Sequence, residues 1–164
     1  MVNASTYHQT LPATKETILA ILEQVPDPEV PVLSIIDLGI VRDVSLSDDG
    51  VEVFVTPTYS GCPATDAINL DIRLKLIEQG FNKVKITQRL SPAWTTDWMS
   101  ESGRLKLKEY GIAPPPKLSG ANKVECPQCH SSNTKLLSQF GSTACKALYQ
   151  CNDCKEPFDH FKCH

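Results

Sequence analysis

Two Cys-x-x-Cys pairs near the C-terminus constrain the fold of this chain more than any other sequence feature. Cys126 and Cys129 form the first pair, Cys151 and Cys154 form the second, and 21 residues separate them. This spacing is close to that of a four-cysteine zinc site, in which each pair makes a tight turn that directs two sulfur atoms at one ion. A segment as short as residues 123–164 buries little apolar surface, so a metal would supply most of its folding free energy. The pattern predicts a zinc ribbon with a closed, structural site.

Three cysteines lie outside these pairs: Cys62, Cys145 and Cys163. Cys145 and Cys163, together with the terminal His164, are candidates for additional ligands. Thiolates that remain after a zinc site is filled can hold iron or an iron–sulfur cluster transiently. The alternative is that Cys145 is a core residue and the terminal pair is frayed. Spacing alone favours neither interpretation for the two cysteines.

Cys62 lies directly before Pro63 in the segment TYSGCPATDAINL. Proline is favoured at the first position of a helix, so Cys62 is expected at or near the N-cap. Free backbone N–H groups and the helix dipole stabilise a thiolate there, which makes the sulfur nucleophilic and a better metal ligand. A buried cysteine that serves as a small apolar residue is an equally weighted alternative.

Hydrophobic spacing before residue 113 predicts an α-β-β-α-β-α order. That order indicates a small α+β sandwich with helices over one face of a three-stranded sheet. The predicted helix after Cys62 is indicated by Ala67, Leu70, Leu74 and Ile77. In chain order the predicted elements are a helix over Thr14–Val25, strands near Ile40–Leu46 and Val51–Thr56, a helix from about Ala64 to Gln79, a strand over Lys83–Arg89 and a helix over Ser100–Tyr110.

The segment APPPKLSGAN, residues 113–122, separates two regions of different composition. Three consecutive prolines remove the backbone donors that a helix or an inner strand requires. We therefore expect a proline-rich linker over 113–122, between an α+β domain of residues 1–112 and a zinc ribbon of residues 123–164.

The net charge of −3 gives no general attraction to nucleic acid or to an anionic membrane. The first ten residues lack the basic and apolar stretches of a secretory signal, and no apolar run is long enough to span a bilayer. Seven cysteines without such a signal indicate a reducing, cytoplasmic location, where thiols bind metals or react. The sequence also lacks a nucleotide-binding loop and paired carboxylates at a helical metal spacing, so we expect no enzyme activity.

Two motifs in the first region resemble the iron–sulfur-assembly domain shared by SufT and the cytosolic iron–sulfur targeting proteins. They are DPEVPVLSIIDLGIV, from Asp27 to Val41, and TPTYSGCP, from Thr56 to Pro63. With SPAWTTDWMSESGRLKLKEYGIAPP and the tail FGSTACKALYQCNDCKEPFDHFKCH, nearly the whole chain is similar to the PaaD family of the phenylacetyl-CoA epoxidase system.

The resemblance implies a role for three residues of the first region. Cys62 matches the cysteine associated with iron–sulfur function, and Asp27 and Glu29 match the acidic motif that accompanies it. The two carboxylates would add weak oxygen ligands to the same site, or they would only cap a turn after the first helix.

The resemblance also implies partners. PaaD-like proteins accompany an epoxidase with a di-iron oxygenase subunit and a reductase that holds FAD and a [2Fe–2S] cluster. The chain would then be a maturation factor that assists iron or cluster insertion into the reductase or oxygenase subunit, alongside the iron–sulfur assembly machinery. A permanent, non-catalytic structural subunit of the epoxidase complex is the alternative.

Overall fold

The computed structural model describes residues 13–116 and 123–162. Each helix and strand predicted before residue 113 is present close to its predicted bounds, and the α+β prediction is confirmed. No helix in the described ranges is long and apolar enough to cross a membrane. The elements are α1 (Lys15–Leu22), β1 (Val41–Ser47), β2 (Gly50–Val55), α2 (Ala64–Glu78), β3 (Val84–Gln88), a 3-10 turn (Thr96–Trp98), α3 (Glu101–Glu109), β4 (Thr134–Ser138), β5 (Lys146–Cys151) and β6 (Pro157–Phe161).

The first sheet has the order β1-β2-β3. β1 and β2 form an antiparallel hairpin, whereas β2 and β3 are parallel, so α2 is the crossover that connects them. Along β2 the buried residues alternate with half-buried ones, and Val51, Val53 and Val55 face the core. This topology places the residues that link β2 to α2, including Cys62, at one end of the sheet.

The residues whose spacing predicted α2 do not form its buried face. All four residues that predicted the helix are solvent-exposed: Ala67, Leu70, Leu74 and Ile77. The helix carries two apolar stripes, and the one that enters the core consists of Ala64, Ile68, Ile72 and Leu76. Periodicity detects both stripes as helical but does not say which one packs against the sheet.

Asp37 fixes α3 against the loop that precedes β1. Its carboxylate accepts hydrogen bonds from the Ser34 backbone and hydroxyl at 3.1 and 3.0 Å, from Ser100 Oγ at 2.9 Å and from Lys106 Nζ at 2.6 Å. Burial opposes ionisation of this group, but the Lys106 salt bridge and the serine donors hold the pKa of Asp37 below its usual value. A carboxylate from one motif thus connects two segments that are distant in the chain.

The second sheet, with the order β4-β5-β6, packs directly onto the first domain. Phe161 and Cys145 belong to the same buried cluster as the residues of α1, β2 and α2. The Phe161 ring meets Trp94 edge to face, with ring centroids 6.3 Å apart. Ala113 pairs with β6, since its N–H donates to Asp159 O at 2.8 Å and its carbonyl accepts from Phe161 at 2.9 Å. The two regions therefore share one core.

The predicted linker is described only in part, because residues 117–122 lie outside the described ranges. Ala113 is paired with the ribbon, and Arg104 Nη1 donates to Pro115 O at 2.6 Å, so both residues lie against folded structure. The bounds 1–112, 113–122 and 123–164 remain a prediction.

We expect Lys106→Met to lower the free energy of unfolding by about 2 kcal/mol, because it leaves the buried Asp37 carboxylate without its cation. Lys108→Met is the matched control on the same helix. Its exposed salt bridge to Glu125 should contribute less than about 1 kcal/mol. Urea unfolding monitored by circular dichroism measures both changes.

The effect of Lys106→Met should also depend on pH. The folded-state pKa of Asp37 is lowered, so the stabilisation from its carboxylate is present at neutral pH and is lost as the pH falls through that folded-state value. The difference between wild type and Lys106→Met should accordingly shrink in acid. A difference that stays constant from pH 7 to pH 3 would contradict this account of Asp37.

Candidate functional site

The four paired cysteines form one compact cluster in the ribbon. Their sulfur atoms all lie within 4.8 Å of one another. The Cys126 and Cys154 sulfurs are 3.7 Å apart, and those of Cys129 and Cys151 are 3.5 Å apart. A tetrahedral zinc ion with zinc–sulfur bonds of about 2.3 Å requires sulfur–sulfur edges of about 3.8 Å. The donor set and its spacing therefore fit a closed four-thiolate metal site.

Both halves of this cluster use the same local turn. In the first pair the His130 N–H donates to Cys126 O, and in the second the Lys155 N–H donates to Cys151 O. Both donor residues have a positive φ, which is 62° at His130 and 70° at Lys155. Backbone N–H groups of Cys154 and Asp153 donate to the sulfur of Cys151, which lowers the pKa of its thiol to about 7. Amides directed at sulfur favour the thiolate that a metal requires.

A small cavity lies where the ribbon meets the first domain. Its volume, taken as the space that the centre of a water molecule can occupy, is about 20 Å³. The structure brings four sequence-predicted site residues together in its wall: Cys62, Asp27, Glu29 and Cys145. The rest of the wall consists of Leu38, Ile40, Val55, Pro57, Thr58, Thr65, Ile68, Asn69 and Phe161.

Cys62 is half-buried in a turn between β2 and α2. Its N–H donates to Tyr59 O at 3.3 Å, and its carbonyl accepts from the Thr65 N–H at 3.1 Å. Gly61 has a φ of +82°, a conformation that permits this reversal and that other residues rarely adopt. Pro63 is the N-cap rather than the first helical residue, so Cys62 precedes the cap by one position.

Tyr59 is a neighbour of Cys62 that the sequence pattern did not single out. Burial raises the pKa of Tyr59 to about 12, and the charge of Cys62 and a hydrogen bond to it act in the same direction. The phenol therefore stays protonated at neutral pH and can donate to the sulfur. Its position three residues before Cys62, between the second predicted strand and the following helix, is the sequence feature that could have identified it.

Asp27 caps a turn, which is one of the two alternatives that the sequence left open for it, and it also lies at the cavity. Its Oδ1 accepts the N–H groups of Glu29 at 2.9 Å and Val30 at 2.8 Å, so it caps the turn after α1. The same carboxylate also lines the cavity. Burial raises the pKa of Asp27 despite these two donors.

Cys145 reaches the cavity from the loop that precedes β5. It is 5% exposed, and its sulfur lies 3.4 Å from Glu29 Oε2 and 3.0 Å from Thr143 Oγ1. Burial, reinforced by the adjacent Glu29 carboxylate, raises the pKa of the Cys145 thiol to about 12. Cys163 and His164, the other candidates for additional ligands, lie outside the described residues.

Asn69 is a second cavity residue that the sequence pattern did not single out. Its Oδ1 is fully buried and has no hydrogen-bond partner, and the side chain lines the cavity. Buried polar atoms without partners are rare in native structures. Thr65 and Asn69 are four residues apart on one face of α2 and both line the cavity, so counting along the helix that follows Cys62 would have found the asparagine.

Comparisons with known proteins agree with this two-part architecture. Residues 15–87 match the family model described as iron-sulfur cluster assembly protein, and residues 113–162 match that of the PaaD zinc beta ribbon domain. An Escherichia coli protein whose name describes it as a putative 1,2-phenylacetyl-CoA epoxidase subunit is 51% identical over 93% of this chain and 94% of its own length. This chain belongs to the PaaD family.

Other relatives match the first part of this PaaD-family chain. A Porphyromonas gingivalis protein named Fe-S protein maturation auxiliary factor is 42% identical over 57% of this chain and 90% of its own length. The crystal structure of a domain of unknown function, DUF59, from Bacillus anthracis is 28% identical with a TM-score of 0.52. It covers 57% of this chain and 90% of its own. The predicted combination of an assembly-type domain and a ribbon is confirmed.

We expect Cys151→Ser to lose the ribbon metal, because the remaining sulfurs no longer complete a tetrahedron. Since Phe161 covers Trp94, loss of the ribbon should also shift tryptophan fluorescence to the red and destabilise the first domain. Metal analysis and limited proteolysis provide the measurements. Cys62→Ser is the matched cysteine control and should retain the metal. A ribbon that stays protease-resistant after its metal has been chelated would contradict the assignment.

We expect iodoacetamide to modify Cys62 well before Cys145 in the native, metal-loaded protein. Cys145 is buried, and its thiol pKa is about 12, so almost no thiolate is present at pH 7. Peptide mass spectrometry at timed intervals measures both rates, and labelling in denaturant provides the control in which the two should become similar. Equal native rates would show that Cys145 is not enclosed as described.

Proposed function

We propose that this protein is a maturation factor for phenylacetyl-CoA epoxidase. Cys62 holds iron or an iron–sulfur cluster in transit, and the reductase or oxygenase subunit of the epoxidase receives it. The protein takes part in assembly and not in epoxidation. Its ribbon carries structural zinc bound by Cys126, Cys129, Cys151 and Cys154.

One contrast within the molecule supports this function. The four paired ribbon sulfurs form a closed set, which retains a metal, whereas Cys62 lies half-buried beside a small cavity whose donors do not form such a compact set. A carrier needs a thiol that binds its cargo and can be reached by an acceptor. Cys62 meets this requirement better than the four paired ribbon cysteines, since each of those is committed to one ion.

The residues around Cys62 have separable roles in such a transfer. Tyr59 donates to the sulfur, and the cap on α2 fixes the backbone next to it. Asp27 and Glu29 place negative charge beside the cavity, which favours a cation. The zinc ion, when bound, supplies only cross-linking, because four thiolates leave it no open coordination position.

A permanent, non-catalytic subunit of the epoxidase complex is a second candidate. The name of the Escherichia coli relative, which describes that protein as part of the epoxidase, favours it. The name of the Porphyromonas gingivalis relative favours maturation. The two roles differ in when the protein is needed, and this difference can be tested.

We expect epoxidase components produced in cells that contain this protein to turn over phenylacetyl-CoA after it has been removed. Components from cells with Cys62→Ser should be deficient in iron or cluster and slow, and the purified protein added during the assay should not restore them. Ser60→Ala, at an exposed position in the same loop, is the matched control and should support full maturation. Iron, acid-labile sulfide and turnover are measured for each preparation.

The reverse pattern would reject maturation. If fully metallated components gain turnover in proportion to added protein, the chain acts during catalysis as a working subunit. If Cys62→Ser supports the same metal content and turnover as wild type, the thiol is a packing residue.

A further inference from the structure

Two features of the cavity point to the nature of the cargo. Cys145 comes from the ribbon, whereas Glu29 comes from the first domain. The Cys145 thiol faces the Glu29 carboxylate, and both residues line the cavity. Asn69 Oδ1 is a buried acceptor without a partner. A cavity lined by two thiols and an unsatisfied oxygen offers donors for a metal, because an ion would supply the interaction that the oxygen lacks.

The size of the cavity limits what it can hold. About 20 Å³ is available to the centre of a water-sized sphere, and about 10–15 Å³ of the same measure holds one water molecule. One bare metal ion fits this space. A cluster of two or four irons with bridging sulfides does not fit without separation of the ribbon from the first domain.

We propose that the cargo is a single ferrous ion, bound between the two domains by the thiolates of Cys62 and Cys145 and by Asn69 Oδ1. This assignment rests on the proposed function and narrows it from iron or cluster to mononuclear iron. Sulfur and oxygen donors together suit a borderline metal such as Fe²⁺, whereas an all-oxygen set would suit Mg²⁺ or Ca²⁺.

Binding at Cys145 requires an acceptor for its proton. The sulfur lies 3.4 Å from Glu29 Oε2. As the iron–sulfur bond forms, the S–H bond breaks and the proton moves to this carboxylate, from which it passes to solvent. Cys62 is half-buried and releases its own proton to solvent directly. Two thiol protons therefore leave for each Fe²⁺ bound, and no electron is exchanged.

The geometry favours reversible binding. Within the described parts of the chain, the ribbon cluster is the one group of three or more cysteine, histidine or acidic residues whose ligand atoms all lie within 4.8 Å of one another. The cavity donors are more widely spaced, so they must converge on the ion. The energy of that movement weakens binding, which suits an ion that is passed on.

The test is anaerobic titration of the zinc-loaded, full-length protein with Fe²⁺. X-ray absorption at the iron edge gives the number of sulfur ligands, and Mössbauer spectroscopy with ⁵⁷Fe distinguishes a single ion from a cluster. The variants are Cys62→Ser, Cys145→Ala and Asn69→Ala. Leu70→Ala, at the exposed position next to Asn69, is the matched control on α2.

We expect wild type and Leu70→Ala to bind one Fe²⁺ with two sulfur ligands and no acid-labile sulfide. Cys62→Ser and Cys145→Ala should each leave one sulfur ligand and weaken binding about tenfold or more, and Asn69→Ala should weaken it severalfold. Circular dichroism and zinc content confirm that each variant is folded. If Cys145→Ala lowers stability, Glu29→Gln provides a second measure, since removal of the proton acceptor should slow iron uptake and reduce its rise with pH.

Iron that keeps two sulfur ligands and full affinity in folded Cys145→Ala would overturn the inference. So would a bound cluster in wild type. The maturation assay separates this failure from that of the proposed function. If maturation requires Cys62 but still proceeds with Cys145→Ala, the proposed function stands and the two-thiol site is rejected. If spectroscopy shows iron bound by two thiols but the Cys62→Ser variant still matures the epoxidase, the site is supported and the proposed function is rejected.

Discussion

The cross-link among four ribbon sulfurs is the constraint on which the cavity depends. Besides the core that it shares with the first domain, the ribbon has a small apolar cluster formed by Ala113, Val124, Cys126, Cys151 and Phe158, and two of these five are metal-site cysteines. So little apolar surface does not fold alone, and metal ligation has to supply the remainder. Only a folded ribbon can hold Phe161 against Trp94 and Cys145 beside Glu29. One side of the cavity wall is therefore a consequence of metal bound elsewhere in the chain.

The sulfur atoms of this molecule lie in two contrasting environments. In the ribbon, paired turns direct backbone amides at the sulfurs and bring four of them within the edges of one tetrahedron. At the domain boundary, Cys145 is enclosed with a carboxylate, which keeps its thiol protonated. Cys62 lies beside the same cavity but is only half-buried. The surroundings of each sulfur, and not its residue type, decide whether it suits a retained ion or the exchangeable ion that we propose.

The parts of this structure that could be predicted from sequence are those determined by local spacing. Cys-x-x-C turns, the hairpin around Ser47–Gly50 and the helix after Pro63 each depend on a few adjacent residues. The contribution of Cys145 could not be deduced, because it depends on how the ribbon packs on another domain. The buried face of α2 could not be deduced for the same reason, since the helix carries two apolar stripes and only packing against the sheet selects between them. Asn69 could be found from its position on the helix after Cys62, but nothing in the sequence marks it as a ligand. Only the structure shows that its oxygen is buried without a partner.

The edge-to-face contact between Trp94 and Phe161 also restricts how this chain can evolve. Trp94 Nε1 already donates to Leu38 O at 2.8 Å, so the indole cannot rotate to accommodate a different neighbour. A change of ring size at either position would leave a void or a clash in the shared core. Substitutions at these two positions should consequently be inherited together. A ribbon transplanted from a distant homologue would fit only if it brought a compatible aromatic residue with it.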